Sequence, residues 1–515
     1  MSKKLKLTAI ALSLCMLVSF AWACNPQGEL PSGGGNNTEP EVFNEAEMFA
    51  TPRTLTIYAM DRGYHTDWLE TIADNYEKKF NNVTVDVVPR TSIETDEQNT
   101  ILLGPDANDI DIYFSSIPNF TKYYAEQTGQ PWGQYSVLEN LTRLYNTKVY
   151  GEEITLKEKM SDEVTAAMTL KTGNTESQYS FSWAAGACGL VYNSALFEEL
   201  NLEVPETTDD LIAIVSTVNN WNAANPTKKV TPFVWSGTYW NYLVNTWWAQ
   251  YSGMETVRNF YKCTANGNVM TPQLDALLNQ QGKLEAYKVL EALLSNSNNS
   301  SGGGTLTNKA AQAIFTNPSK RVLMCPEGDW FESETAANGQ DGSIYRVMPT
   351  PKLSAAVAKY GGSVEAVPNY IFTLASTHGL FIPCYSREKD IAKHFLTYFY
   401  SDEAACEFTK ATGSFQAFKP QYIRQYVQDN GLQDDMTNFR MSQYEVMSSA
   451  ELVFSMTRLS PLRYGQAALE EFPLGLQPAN AFFEGGGYTA DSYYTAENRY
   501  YNDNWAQMLK LSGIN

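Results

Sequence analysis

Thr231–Gly253, TPFVWSGTYWNYLVNTWWAQYSG, holds four tryptophans and three tyrosines in one short run. Indole and phenol rings join a flat apolar face to a polar edge. Such a run either fills a core or walls a site for a ligand with apolar faces and hydroxyl rims, such as a sugar. Trp235, Tyr239 and Trp240 stand at the head of the run, where a helix would begin with its end open to a cleft. Trp247 and Trp248 lie further into the same helix and suit packing. A second group sits near the N-terminus. The loop Met60–His65 carries Asp61, Arg62 and Tyr64 directly after an apolar strand pattern. Carboxylate, guanidinium and phenol are groups that bond hydroxyls.

Other chemistries find little support. Only three histidines occur, His65, His378 and His394, and none has metal-ligand spacing. His394 falls on a helix beside core residues. No GxSxG, P-loop or GxGxxG pattern is present, so no metal or cofactor is expected. The adjacent pairs Glu198-Glu199 and Glu470-Glu471 read as solvated helix positions. Spacing leaves a glycoside hydrolase open, because its two acids are set by geometry.

The elements that must carry these residues follow from hydrophobic periodicity. Thr54–Ala59 and Val83–Val88 read as strands, and Asp109–Phe114 as a third. Thr66–Phe80 repeats Trp68, Ile72, Tyr76 and Phe80 every four residues, the stripe of a helix. With a helix around Asp96–Leu103, this is a parallel α/β unit. Ligands of such sheets sit beyond the carboxyl ends of the strands. That places Asp61–Tyr64 and Ser115–Asn119 at a possible site. Further strands are expected at Gly189–Tyr192, Arg321–Cys325, Ser343–Met348 and His378–Pro383. Helices are expected at Asp209–Trp221, Glu388–Tyr400 and Asp402–Thr412, the last ended by Gly413. Asn193, Thr207 or Thr208, and Asp329 suit helix N-caps. The aromatic run itself reads as largely helical, and Ser295–Gly304 as a loop.

At 515 residues the chain is too long for one core and implies two large domains. A hydrophobic share of 43% supplies both cores, and 13% aromatic residues favour a ligand surface. A net charge of −20 argues against nucleic acid as a partner. At the N-terminus, Lys3, Lys4 and Lys6 precede the apolar Leu7–Phe20 and then Ala21-Trp22-Ala23-Cys24. This is a signal-peptide pattern for residues 1–23, and its end resembles the bacterial lipobox, in which Cys24 becomes the lipidated N-terminus. Residues 24–53 then form a polar tether from the membrane. Five further cysteines, Cys188, Cys263, Cys325, Cys384 and Cys406, lack metal spacing and read as buried free thiols.

Several stretches, in order, carry a resemblance. Gly189-Leu190-Val191-Tyr192-Asn193, then Leu196–Leu200, Pro205 and Thr207–Leu211, resemble the segment GLxYN…LFxxxGLxxPxTWDEL. Met324, Gly328 and Trp330 match GKxAMxxxGxW, and Pro349–Lys352 the xPxPK that follows. Ala392–Leu396, Ser401–Ala404 and Thr412–Ala417 match a last hallmark segment. Together they resemble the carbohydrate-type extracellular solute-binding proteins of bacterial ABC transporters, the family that includes maltose-binding protein. The resemblance spans roughly residues 54–420 and implies a type II, periplasmic-binding-protein-like α/β fold: two lobes, hinge strands and a ligand cleft between them. It implies a first lobe over 54–182, a second over 183–377, and a return across the hinge to the first lobe with C-terminal helices over 378–515. It further implies a sugar or oligosaccharide ligand, no catalysis, and an ABC permease as partner. Trp330 falls where the family stacks a ring on sugar, with Asp329 beside it. Trp183 falls next to a hinge strand, and Gln416 where the chain returns to the ligand. A carbohydrate-active enzyme or another surface glycan-binding lipoprotein is the competing expectation.

Overall fold

The structure, a computed structural model, describes residues 38–511 apart from 92–95, 116–136, 173–174, 238, 266–267, 274–277, 297–298, 302–305, 337–341, 376–377, 455–473, 475 and 484–485. The signal pattern, Cys24, most of the tether, Ser116–Asn119 and Glu470-Glu471 lie outside the described residues.

The chain opens with β1 (Arg53–Met60), α1 (Asp67–Lys79), β2 (Val83–Arg90) and β3 (Ile112–Ser115). β1 lies between β2 and β3, all parallel, with Ile57 opposite Val87 on one side and Ile112 on the other. Trp68, Leu69, Ile72, Ala73 and Tyr76 of α1 are buried, as the four-residue repeat requires. The short β4 (Phe181–Ser182) sits at the far edge of this sheet.

The chain then crosses and builds a second sheet. Its strands are β5 (Gly189–Asn193), β6 (Thr231–Val234), β7 (Ser300–Ser301), β8 (Val322–Glu327) and β9 (Tyr345–Val347), in spatial order β7-β6-β8-β5-β9. Around it lie α2 (Thr208–Ala224), α3 (Asn241–Ser252), α4 (Met254–Lys262), α5 (Gln281–Leu294) and α6 (Phe331–Thr335). Two caps expected from sequence form. The Asn193 side chain accepts from the Leu196 amide at 3.1 Å. Thr207 and Asp210 make a reciprocal capping box. Two elements differ. The aromatic run is not one helix: Pro232 and Gly237 divide it into β6, a loop and α3. The Ser295–Gly304 loop contains β7, because Ser300 and Ser301 find an open sheet edge beside Phe233 and Val234.

After β10 (Tyr370–Thr373) the chain returns to the first sheet as β11 (Gly379–Phe381), antiparallel to both β3 and β4. The first sheet is therefore ordered β2-β1-β3-β11-β4. α7 (Lys389–Phe399) and α8 (Asp402–Thr412) cover it, and Phe408 packs edge-on against Trp68 at 4.8 Å. Gly413 ends α8 at φ 72°, a left-handed cap. Pro420–Asp429 packs back on α8, where the Thr409 and Tyr426 hydroxyls share a hydrogen bond at 2.8 Å. α9 (Asn438–Met447) lies against β9, where Ser442 accepts from the Val347 amide at 2.9 Å. β12 (Glu451–Phe454) pairs with β10. α10 (Pro478–Phe482) and α11 (Ala490–Leu511) pack on α5.

Three segments join the lobes side by side. The Trp183 amide donates to His378, the Ala185 amide to Phe415, and the Cys188 amide to Phe372, each at 2.8 Å. Such short extended connections bend with few contacts to break, as hinge segments do. All five cysteines named above are free thiols, and four are buried. No helix among the described residues is long and apolar enough to cross a membrane.

Candidate functional site

The seam between the lobes centres on one carboxylate. Asp329 follows β8 at the carboxyl end of the second sheet and is 2% exposed. The Tyr64 hydroxyl, from the loop after β1 in the first lobe, donates to its Oδ2 at 2.6 Å. The Ser414 hydroxyl, just past α8, donates to the same oxygen. The crossing strand runs directly against this group: a Cβ on Gly186 would fall 1.9 Å from Oδ2. Burial pushes the Asp329 carboxyl up to about 6, while the Ser414 and Tyr64 hydrogen bonds hold it down. Burial, and then the Asp329 charge, pushes the Tyr64 phenol well above its ordinary value. Asp329 was expected to cap the helix behind it. It makes no such cap, because both hydroxyls of the opposite lobe reach its carboxylate first; Trp330 takes the N-cap position without a side-chain bond.

Aromatic rings surround this joint. Tyr64 meets Trp183 edge-on at 5.6 Å and His378 at 5.2 Å. Trp183 stacks on Trp68 at 5.5 Å and donates its indole N–H to the Ser115 carbonyl at 3.1 Å. On the second-lobe side, the Trp330 ring folds back over Gly328, where a Cβ would sit 2.4 Å from it. Its other neighbours are Tyr239 at 6.0 Å and His378 at 6.3 Å. Tyr239 stacks on Tyr242 at 4.9 Å, and Tyr242 on Phe372 at 4.8 Å. Gly63 leaves room for this approach, since a Cβ there would lie 2.9 Å from that of Trp330.

Carboxylates flank the same rings. Gln312 donates to Glu334 at 2.6 Å and to Glu327 at 3.3 Å. Glu327, the last residue of β8, is fully buried, and its Oε1 has no hydrogen-bond partner. Burial pushes its carboxyl well above the usual range. Burial first, and then the charges of Glu327 and Glu334, raise the Tyr239 phenol. Rings, acid oxygens and an amide thus meet at the carboxyl ends of β1 and β8. Rings cover apolar C–H faces, and the polar groups bond hydroxyls. Among the described residues no cluster of His, Cys, Asp or Glu could hold a metal ion.

Sequence reasoning named Tyr64, Tyr239, Asp329 and Trp330, and the fold brings these four to one seam. The others lie apart from it or beneath it. Asp61 and Arg62 are in the same loop but face outward: Asp61 lies 3.4 Å from the exposed His65 ring, and Arg62 donates to the Thr91 carbonyl at 3.3 Å. Trp183 is 1% exposed and supports Tyr64 from below. Trp235 and Trp240 are buried in the second-lobe core, edge-on to each other at 5.9 Å. Gln416 is fully buried and donates to the Phe399 carbonyl at 2.8 Å. Sequence reasoning passed over Ser414, Gln312, Glu327 and Glu334. Glu327 alone carried a signal, as a carboxylate closing an apolar strand.

Residues 62–405 match the family described as bacterial extracellular solute-binding protein. No curated protein matches the chain by sequence. Among solved structures it is similar to the cyclic alpha-maltosyl-1,6-maltose binding protein of Arthrobacter globiformis, with TM-score 0.58 and 15% identity over 89% of this chain and 100% of that one. It is also similar to the apo form of RafE from Streptococcus pneumoniae, with TM-score 0.55 and 17% identity over 88% and 98%. A third is maltose-bound MalE3 of T. maritima, with TM-score 0.55 and 15% identity over 87% and 98%.

Proposed function

The chain belongs to the bacterial extracellular solute-binding proteins, and from that premise we propose that its solute is a sugar or oligosaccharide held in the seam between the lobes. The observation that carries the reading is the joint at Asp329. A second-lobe carboxylate is bonded by two first-lobe hydroxyls beside Trp330 and Tyr239, so ligand contact and lobe closure share one place. Opening at the hinge would expose Asp329, Trp330, Tyr239 and Glu334 to a ligand, and closing would fold Tyr64 over it. The sugar-binding solved structures of like fold support this ligand class. In this reading Trp330 and Tyr239 present rings to the sugar, and Asp329 and Glu334 accept from its hydroxyls. The protein delivers the sugar unchanged to the permease of an ABC importer. The signal pattern and Cys24 support export and lipid anchoring at the outer face of the membrane.

A thermal-shift screen against mono- and oligosaccharides tests the reading, because a ligand of the folded state raises the melting point by mass action. Small-angle scattering should show the lobes contracting with the same sugars. A shift with another solute class and none with sugars would overturn the ligand. Specific hydrolysis of an oligosaccharide by the purified protein would overturn the receptor role.

A further inference from the structure

Among the described residues four carboxylate side chains are buried: Asp111, Glu327, Asp329 and Glu497. Three of them have strong donors. Asp111 accepts from the Ser386 hydroxyl at 2.6 Å and from the Thr56 amide at 3.0 Å, one bond to each oxygen. Asp329 has the hydroxyls of Tyr64 and Ser414, and Glu497 has the ammonium of Lys283. Glu327 differs. Its Oε2 accepts two long bonds, from Gln312 at 3.3 Å and from the Gly328 amide at 3.4 Å, and its Oε1 accepts none. A buried acceptor left unpaired costs about 1–3 kcal/mol, and more when it is charged.

A second carboxylate stands beside it. The same Gln312 nitrogen donates to Glu334 at 2.6 Å, so one neutral amide serves two acids. Among the described residues neither acid is paired with a lysine or arginine. Glu332, on the same helix α6, shows the contrast: Arg440 bonds it at 2.5 Å. No metal-holding cluster forms here among the described residues. Glu334 looks toward the opposite lobe, since a Cβ on Gly63 would lie 3.4 Å from its Oε1. Tyr239 lies on the other side, its phenol raised by burial and then by the charges of both acids. Its ring meets Trp330 at 6.0 Å. An ammonium suits this place: its N–H groups donate to both carboxylates, and its charge is attracted to ring faces. A neutral hydroxyl would bond the bare oxygen and leave the two acids without a countercharge in a closed seam, which is costly.

Resting on the sugar reading above, we propose that the solute is an amino sugar, with its ammonium held between Glu327 and Glu334 and its ring against Trp330 and Tyr239. The test is calorimetric titration at pH 7 of glucosamine, galactosamine and the β-1,4 disaccharide of glucosamine, each beside its N-acetyl form and its neutral parent sugar. At least one amine should bind about tenfold more tightly than both of its counterparts. Glu327→Gln and Glu334→Gln keep the shape and drop the charge, and each should shrink that preference to about threefold or less. Glu332→Gln, whose charge Arg440 already neutralises, should leave it unchanged. Neutral or acetylated sugars that bind as tightly as the amines would overturn the amino-sugar assignment and leave the sugar reading standing. A preference that survives both Gln variants, or that falls equally in Glu332→Gln, would do the same. Absence of binding by every sugar, charged and neutral, would overturn both readings, as would binding of spermidine and of no sugar.

Discussion

Two buried carboxylates, Asp329 and Glu497, sit in equally aromatic surroundings and are held in different ways. Glu497 of α11 meets the ammonium of Lys283, which itself lies 5.3 to 5.7 Å from the rings of Trp248, Phe260, Tyr287 and Tyr501. Both partners belong to the same lobe, and the cation cancels the buried charge. Among the described residues no cation pairs with Asp329. It is bonded by Tyr64 and Ser414, and both come from the opposite lobe. A charge neutralised within its own lobe makes a permanent joint, because separating the pair strands a bare charge in the interior. A charge held by hydroxyls across a hinge is conditional, because water or a ligand hydroxyl can replace either donor when the lobes part. The contrast separates scaffold from site within one continuous aromatic region.

The sharpest way to break it is inside the scaffold. Trp247 is fully buried with its N–H on the Pro351 carbonyl at 3.0 Å, so Trp247→Ala should cost about 3–5 kcal/mol in urea unfolding. Lys283→Met leaves Glu497 buried without its cation and should cost about 3–5 kcal/mol as well. A loss under about 1 kcal/mol from Lys283→Met would remove the distinction drawn between the two carboxylates.

The seam should respond to pH instead. In the closed state the Asp329 carboxyl titrates at about 6, against an ordinary value of 3.8 when opened to water. The closed state therefore holds the proton more tightly, and closure is favoured at low pH. That advantage, on the order of 3 kcal/mol, is lost as pH rises from about 4 through 6. Small-angle scattering of the sugar-free protein between pH 4 and 7.5 measures it, and Asp329→Asn should flatten the response. A smaller effect is expected from Trp330→Ala. Sugar affinity measured by calorimetry should fall by about 2 kcal/mol, a factor of roughly 30, as for a buried aromatic contact. The smallest effect belongs to the loop beside the seam. Arg62→Ala removes an exposed side chain bonded to one carbonyl, and stability should stay within about 0.5 kcal/mol.

Much of the scaffold was legible before any coordinates. The period-two and period-four patterns located β1, α1, β2, α7 and α8 to within a few residues, because each element buries one face of its own local sequence. Gly413 and Thr207 marked ends for equally local reasons. The site was only half legible. Tyr64 and Trp330 stand where strands end, which topology favours for ligands. Trp235 and Trp240 have the same composition and turned out to be core, since whether a ring faces a cleft depends on what α5 and α10 place against it.

What the sequence determined by itself is thus the place and order of elements such as β1, α1, β2, α7 and α8 and the family the chain resembles, since these rest on contacts among near neighbours and on motifs in line. What only the tertiary structure decided is which side chains meet across the hinge. Tyr64 and Asp329 are 265 residues apart, and no periodicity within either segment refers to the other. The partner of Asp329 was assigned locally, as a helix cap, and the fold reassigned it. A carboxylate leaving water takes the hydroxyls that the opposite lobe brings within reach, and that choice exists only once the two lobes have come together.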